Sequence, residues 1–197
     1  MKIYGGDKMQ KDTKAIISDA FLVLLNQKPF DKITIKDIVE ECNINRNTFY
    51  YYYSDIYDLL EEIFKKELCL MIDDYKKGGS WVEGFIKMLN VSYTNKRVIN
   101  NICSSRSYEY FENYMYKSCS SIMVDIVSFH AKDMDVPSED IEFIASFYEY
   151  AMVGILSDWF RTGMRETPAG LASQIWLVLD GIKFSLRRSE KRARANK

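Results

Sequence analysis

The 197-residue chain is expected to fold as an all-α protein of about nine helices. An N-terminal three-helix domain holding a helix-turn-helix is followed by a C-terminal helical bundle. Three observations predict this. Apolar residues return at intervals of three and four over most of the length, and strand-like alternation persists nowhere. Three prolines and nine glycines leave few places where a helix must stop. At 47% hydrophobic and 28% charged residues, the chain can bury a core and is no disordered polymer.

Residues 1–11 read as a flexible arm. Asp12 or Thr13 can cap a helix to about Asn26, with Ile16, Ile17, Ala20, Phe21, Leu24 and Leu25 on one face. Pro29 stops it, because the residue before a proline is pushed out of the helical region. Phe30 and Ile33 then seal a small core. Thr34 followed by Asp37 imitates a capping box, and Ile35, Ile38, Val39 and Cys42 give a short helix its stripe. Asn43 suits the left-handed turn that ends it, Ile44 is the pivot, and Asn45 caps the next short helix. There Phe49 and Tyr53, four apart, face inward. Ser54 or Asp55 caps a helix over 56–76, with Met71 among its inward residues, and Gly78-Gly79-Ser80 marks a break. Beyond it helices are expected near 81–92, 96–103, 108–129, 138–161 and 168–188, the last started by Thr167-Pro168. The expected division is a 1–55 domain, a 56–76 linking helix and a 77–197 domain. Lys183 to Lys197 holds seven basic residues against one Glu and reads as a solvated, frayed tail; the alternative is a phosphate-contacting arm.

Bulk chemistry excludes several classes. The net charge of −1 announces no polyanion binder, and residues 1–54 carry eight basic against seven acidic residues, so any nucleic-acid contact must be local. Four isolated cysteines and one histidine offer no metal spacing and no disulfide framework, so no cofactor is expected. A polar amino terminus and the absence of an apolar run near ~18 residues point to a cytoplasmic protein with no membrane partner. A small helical enzyme would need a phosphate loop, a nucleophile elbow or paired catalytic groups, and none is seen. An adaptor that keeps a helix-turn-helix without binding DNA remains the competing class.

The 34–58 stretch carries the chemistry. A recognition helix needs donors that reach base edges, small groups that read methyls, and hydroxyls that fasten phosphates. Arg46 can fork onto a guanine, Asn47 can bond an adenine edge, and the Thr48 methyl can meet a thymine. Tyr50, Tyr51 and Tyr52 offer phenols at phosphate distance. Thr34, Lys36 and Asn45 flank the set, and Lys8, Lys11 and Lys14 add positive charge nearby.

Residues 12–60 resemble the DNA-binding domain of TetR/AcrR-type transcriptional regulators. The match rests on Phe30, Thr34-Ile35-x-Asp37-Ile38, Thr48-Phe49-Tyr50-x-Tyr52-Tyr53 and Asp58-Leu59-Leu60. Cys42-Asn43 stands where the family has Ala-Gly, Asn47 where it has glycine, and Ile56 where it has a phosphate-contacting lysine. That shifts the phosphate contacts onto Tyr50, Tyr52 and Lys36. The string at 55–59, with Gly154, Trp159 and Gly163, resembles the branch that includes regulators of dihydroxyacetone kinase operons. The resemblance implies double-stranded operator DNA as partner, a palindromic site, a homodimer and a small-molecule effector of unknown identity. A ligand-responsive repressor is the expected role, with an activator as alternative. It also implies a dimer interface on the last two helices, here Phe147, Ala151, Met152, Ile155, Trp159, Trp176, Leu179 and Phe184. An effector would lie near Tyr93, Cys103, Tyr108 and Tyr114.

Overall fold

The computed structural model describes residues 6–76 and 81–195, with backbone alone for 6–12, 67, 69–76 and 81. Every described element is helical. The expected break at 78–80, the first residues of the arm and the Met71 side chain lie outside the described residues. By contacts the chain forms two units, the first ending at Tyr110 and the second beginning at Phe111. This is a different division from the functional one expected at 55–77.

In the first unit, α1 (Gly6–Gln27) starts earlier than the sequence predicted, so most of the expected arm is helix. It buries Ile17, Ala20, Phe21, Leu24 and Leu25, whereas Ile16 lies on its exposed side. Pro29 ends the chain's first run, and a 3-10 turn over Phe30–Lys32 follows. Phe30 is buried edge-on between Phe21 and Tyr57, at ring separations of 6.1 and 5.1 Å. Then come α2 (Ile35–Glu41), α3 (Arg46–Tyr52) and α4 (Ile56–Lys76). α5 (Trp81–Thr94) packs on α4, and α6 (Lys96–Cys103) packs on α1. Asn101 of α6 donates its side-chain amide to the Leu25 carbonyl at 2.7 Å, and the Tyr57 and Ser107 hydroxyls lie 2.9 Å apart. The small N-terminal core is therefore tied to the helices that follow it by polar bonds as well as by packing.

The second unit takes in most of α7 (Tyr108–Ala131), then α8 (Ser138–Arg161), α9 (Pro168–Leu179) and α10 (Gly181–Ala195). Phe111, Met115, Met123 and Val127 of α7 are buried, whereas Phe129 falls off that face and is exposed. α8 stops in left-handed backbone at Gly163 and Met164, whose φ angles are +79° and +54°. The Met164 amide returns to the Trp159 carbonyl at 2.7 Å, and its side chain is buried. The last helix, expected unbroken, parts at Asp180. Just beyond the break the backbone passes close to α8: a side chain on Gly181 would meet the Tyr148 hydroxyl at 2.7 Å. With α9 and α10 taken as one broken helix, the expected count of nine agrees with the described residues.

The C-terminal stretch corrects the sequence reading more sharply. It is no frayed tail but helix through Ala195. Ile182, Leu186 and Ser189 turn inward, Arg192 grips Asp140 of α8 at 2.6 and 2.7 Å, and the Ser189 hydroxyl donates to the same carboxylate. Asp140 is held below the usual carboxylate range, first by the Ser189 hydroxyl and then by Arg192. Lone charges in sequence thus become a clasp once two distant helices meet.

Because Gly163 occupies backbone that other residues rarely adopt, Gly163→Ala is expected to destabilise the protein by about 1 kcal/mol. Urea denaturation checks this; an unchanged midpoint would mean the turn relaxes at no expense.

Candidate nucleic-acid interface

The geometry of this region starts from two short helices that cannot hold themselves. Each of α2 and α3 has seven residues, far below the length at which an isolated helix is stable in water. Caps and buried side chains supply what length does not. At α2 the Thr34 hydroxyl accepts from the Asp37 amide at 3.2 Å, and the Thr34 amide donates to the Asp37 carboxylate at 2.8 Å. This is a reciprocal capping box with aspartate in place of the longer glutamate. Lys28 adds an ion pair to Asp37 at 3.0 Å. The Thr34 backbone amide and then Lys28 hold the Asp37 carboxyl down at about 2.

The turn between the helices is a Schellman motif. The Ile44 amide bonds the Val39 carbonyl at 3.0 Å, the Asn43 amide bonds the Glu40 carbonyl at 3.3 Å, and Asn43 is left-handed at φ +52°. Cys42 sits where the thiol donates to the Ile38 carbonyl at 2.9 Å, and Ile44 is half-buried. Asn45 then caps α3, accepting from the Thr48 amide at 2.8 Å and the Thr48 hydroxyl at 3.1 Å.

These caps decide what each candidate contact presents. The Thr34 hydroxyl donates to Asp37 at 2.8 Å, so its proton is already committed within the chain. The Thr48 hydroxyl proton is committed to Asn45 in the same way, which leaves the methyl as the free feature of that half-buried side chain. Arg46 and Asn47 are exposed, and Arg46 has no acidic partner among the described residues. Lys36 has only a loose pairing with Glu40 at 3.6 Å, both well exposed, which holds it weakly. Phe49 and Tyr53 are fully buried, as their i, i+4 spacing predicted. Tyr50 is 55% and Tyr51 is 72% exposed, while Tyr52 is half-buried edge-on to Tyr51 at 4.9 Å. Arg46, Asn47, Tyr50 and Tyr51 therefore form one accessible set on a helix anchored from behind.

Two features were not legible beforehand. Lys14, counted as free positive charge, is bound to Glu62 at 2.6 Å; the side chains of Lys8 and Lys11 lie outside the described residues. At the start of α4, Asp55 accepts from the amides of Tyr57 and Asp58 at 2.8 and 2.9 Å, and the Asp58 carboxylate accepts from the Ser54 amide at 3.0 Å. Where the resemblance would place a lysine, the helix start carries Asp55 and Asp58, both exposed, beside a half-buried Ile56. A phosphate is disfavoured there because the helix amides are already satisfied by carboxylates.

The expected dimer residues divide. Phe147, Ile155, Trp176 and Phe184 are 61, 41, 45 and 64% exposed, Ala151 is exposed and Leu179 is half-buried. Met152 and Trp159 are instead buried in their own chain, Trp159 donating its indole N–H to the Glu166 carbonyl at 2.9 Å. Helical drift explains this: over 147–159 the positions at 152 and 159 fall on the inward side of α8. Phe143 and Leu177, 73 and 78% exposed, join the apolar set instead. Of the expected effector residues, Tyr93 is exposed with the Lys96 ammonium 5.4 Å from its ring centre. Cys103 and Tyr108 are half-buried in the first unit and Tyr114 is half-buried in the second.

A family model described as "Bacterial regulatory proteins, tetR family" matches residues 17–63. One described as "Transcriptional regulator C-terminal region" matches residues 79–181. The chain is similar to the uncharacterized HTH-type transcriptional regulator YxbF of Bacillus subtilis (strain 168), with 22% identity over 89% of this chain and 47% of that protein. It thus spans about half the length of that relative. It is also similar to the HTH-type dhaKLM operon transcriptional activator DhaS of Lactococcus lactis subsp. lactis (strain IL1403), with 24% identity over 73% of this chain and 76% of that protein. The solved structure of the dihydroxyacetone kinase operon activator DhaS shares the fold, with a TM-score of 0.67, 22% identity, and coverage of 90% of this chain and 98% of that one. A TetR transcriptional regulator from Streptococcus agalactiae 2603V gives a TM-score of 0.59 at 19% identity, covering 88% and 96%.

The capping box carries a pH signature. A carboxyl whose folded value lies below its ordinary 3.8 contributes stability that is present above pH ~4 and lost as pH falls through about 2. The stability difference between the native chain and Asp37→Asn is therefore expected to shrink steadily from pH 5 to pH 2 in urea titrations. A difference that stays constant over that range would remove the charged form from the cap.

Proposed function

This chain belongs to the TetR family of DNA-binding transcriptional regulators, and within that family we propose that it acts as a homodimeric, ligand-responsive repressor on a palindromic operator. The observation that carries the reading is the exposed set Arg46, Asn47, Tyr50 and Tyr51, on a helix whose other face is locked by Phe49 and Tyr53. Its division of labour is DNA contact by 1–55, linkage by 56–76, and effector binding and dimerisation by 77–197.

At the operator, Arg46 and Asn47 read base edges and the Thr48 methyl meets a thymine. Lys36, the Asn45 side-chain amide and the phenols of Tyr50, Tyr51 and Tyr52 fasten the backbone on either side, while Thr34, whose amide and hydroxyl both donate to Asp37, serves the cap of α2. With few free cations, affinity must come from two copies binding together, their recognition helices about 34–36 Å apart. The exposed apolar residues Phe147, Ala151, Ile155, Trp176 and Phe184, with the half-buried Leu179, are the surface on which the second copy docks. Large apolar side chains left exposed in this number mark an interaction surface when they lie together. α4, 21 residues long, is the lever. An effector lodged near Tyr93, Cys103, Tyr108 or Tyr114 alters the spacing of the two helices by tilting it. The likeness to DhaS, named as an activator, favours a second reading in which the same DNA contact recruits the transcription machinery. A reporter placed behind the bound promoter separates the two: deletion of this gene raises expression for a repressor and lowers it for an activator.

Arg46→Ala is expected to weaken operator binding by about 1–3 kcal/mol and to relax preference at one base position; Lys36→Ala should lower the salt slope by about 1 without changing sequence preference. Binding titrations against duplexes selected by the native chain check both. Sedimentation at micromolar concentration should give a dimer, and Phe184→Glu should shift it toward monomer. A native chain that sediments as monomer would end the paired-helix reading.

A further inference from the structure

We propose that Glu62 is a positioning residue for DNA recognition, fixing the carboxyl end of α3 against α1 and α4 through Tyr53 and Lys14. Tyr53 closes α3 as its C-cap residue, with its ring 1% exposed. Its hydroxyl donates to one Glu62 oxygen at 3.1 Å, and the Lys14 ammonium binds the other at 2.6 Å. The same ammonium lies 5.4 Å from the centre of the Tyr53 ring, so the three groups close a ring across three helices. Ser18, one turn along α1 from Lys14, shares the phenol.

Burial, with Glu62 next in effect, pushes the Tyr53 phenol well above its ordinary range, so it stays a neutral donor. The pair itself is a poor source of stability. The side chains of Lys14 and Glu62 are 39 and 42% exposed, and ion pairs at that exposure contribute little. A phenylalanine at 53 would bury the same ring, as Phe49 does one turn earlier. What the hydroxyl adds is direction. Apolar contact lets a seven-residue helix pivot on its ring, whereas two oxygens of one carboxylate, bonded to two different helices, allow one angle. The inference rests on the reading that two recognition helices address one duplex. If α3 wanders, only a fraction of molecules hold both helices at the operator spacing, and apparent affinity falls by that fraction.

The test uses 30-base-pair duplexes selected from a random pool by the native full-length chain. Binding is then measured on the selected duplex and on versions with one base pair added or removed between half-sites. The native chain should discriminate sharply among the three. Tyr53→Phe and Glu62→Ala should bind the selected duplex about tenfold more weakly and discriminate less, while Glu62→Gln, which still accepts from the phenol, recovers part of both. Thermal melts beside each titration report folding. Variants with the native spacing profile would overturn the inference. So would a loss equal on all three duplexes and tracking a lowered melting temperature, since that is a structural role only. If the native chain selects no palindromic duplex, the regulator reading fails first and the positioning role fails with it.

Discussion

The burial of Phe49 and Tyr53 behind α3 is the constraint on which the rest of the DNA-binding unit depends. A helix of seven residues gains too few internal hydrogen bonds to offset its nucleation, so it exists only as long as its inner face is held. The two rings, 5.7 Å apart, fill the core left by α1, the Phe30 turn and α2. Burying each contributes on the order of 2 kcal/mol. Caps at both ends set where the helix starts and stops, and the Schellman turn at Asn43 sets its angle to α2. Exposure of Arg46, Asn47, Tyr50 and Tyr51 follows from the same geometry: once 49 and 53 face in, the positions on the opposite side of the helix face out.

Electrostatics in this unit works by subtraction. The chain is nearly neutral, and several of its cations are committed internally: Lys14 to Glu62, Lys28 to Asp37, Arg192 to Asp140 and Arg194 to Glu190. Asp55 and Asp58 further close the start of α4 to anions. Among the described residues of α2 and α3, what remains is Arg46 and a loosely held Lys36. A protein so equipped attracts DNA weakly at long range and gains selectivity from contacts that require close fit.

Much of this was legible in the chain because it depends on neighbours in sequence. Thr34 with Asp37, Asn43 with its left-handed turn, Asn45 with Thr48, and the Phe49–Tyr53 spacing are all decided within about one helical turn. What was not legible depends on groups brought together from afar. Lys14 reads as a free cation until Glu62, 48 residues on, meets it. Arg192 reads as part of a solvated tail until Asp140, 52 residues back, receives it. Met152 and Trp159 belong to an apolar stripe wide enough for two faces, and periodicity cannot say which side of it packs against its own chain. The early start of α1 was missed because Gly5 and Gly6 signal a break more strongly than the polar run after them signals a helix.

Sequence alone was enough to determine the helical class, the helix-turn-helix, its caps and which side chains α3 turns inward. These are short-range consequences of periodicity, capping chemistry and backbone preference. Tertiary structure decided which charges stay available, that the last helix breaks at Asp180, and which hydrophobic residues are left at the surface. The reason is physical: availability is a property of what a group is not bonded to, and only the packed chain settles its partners.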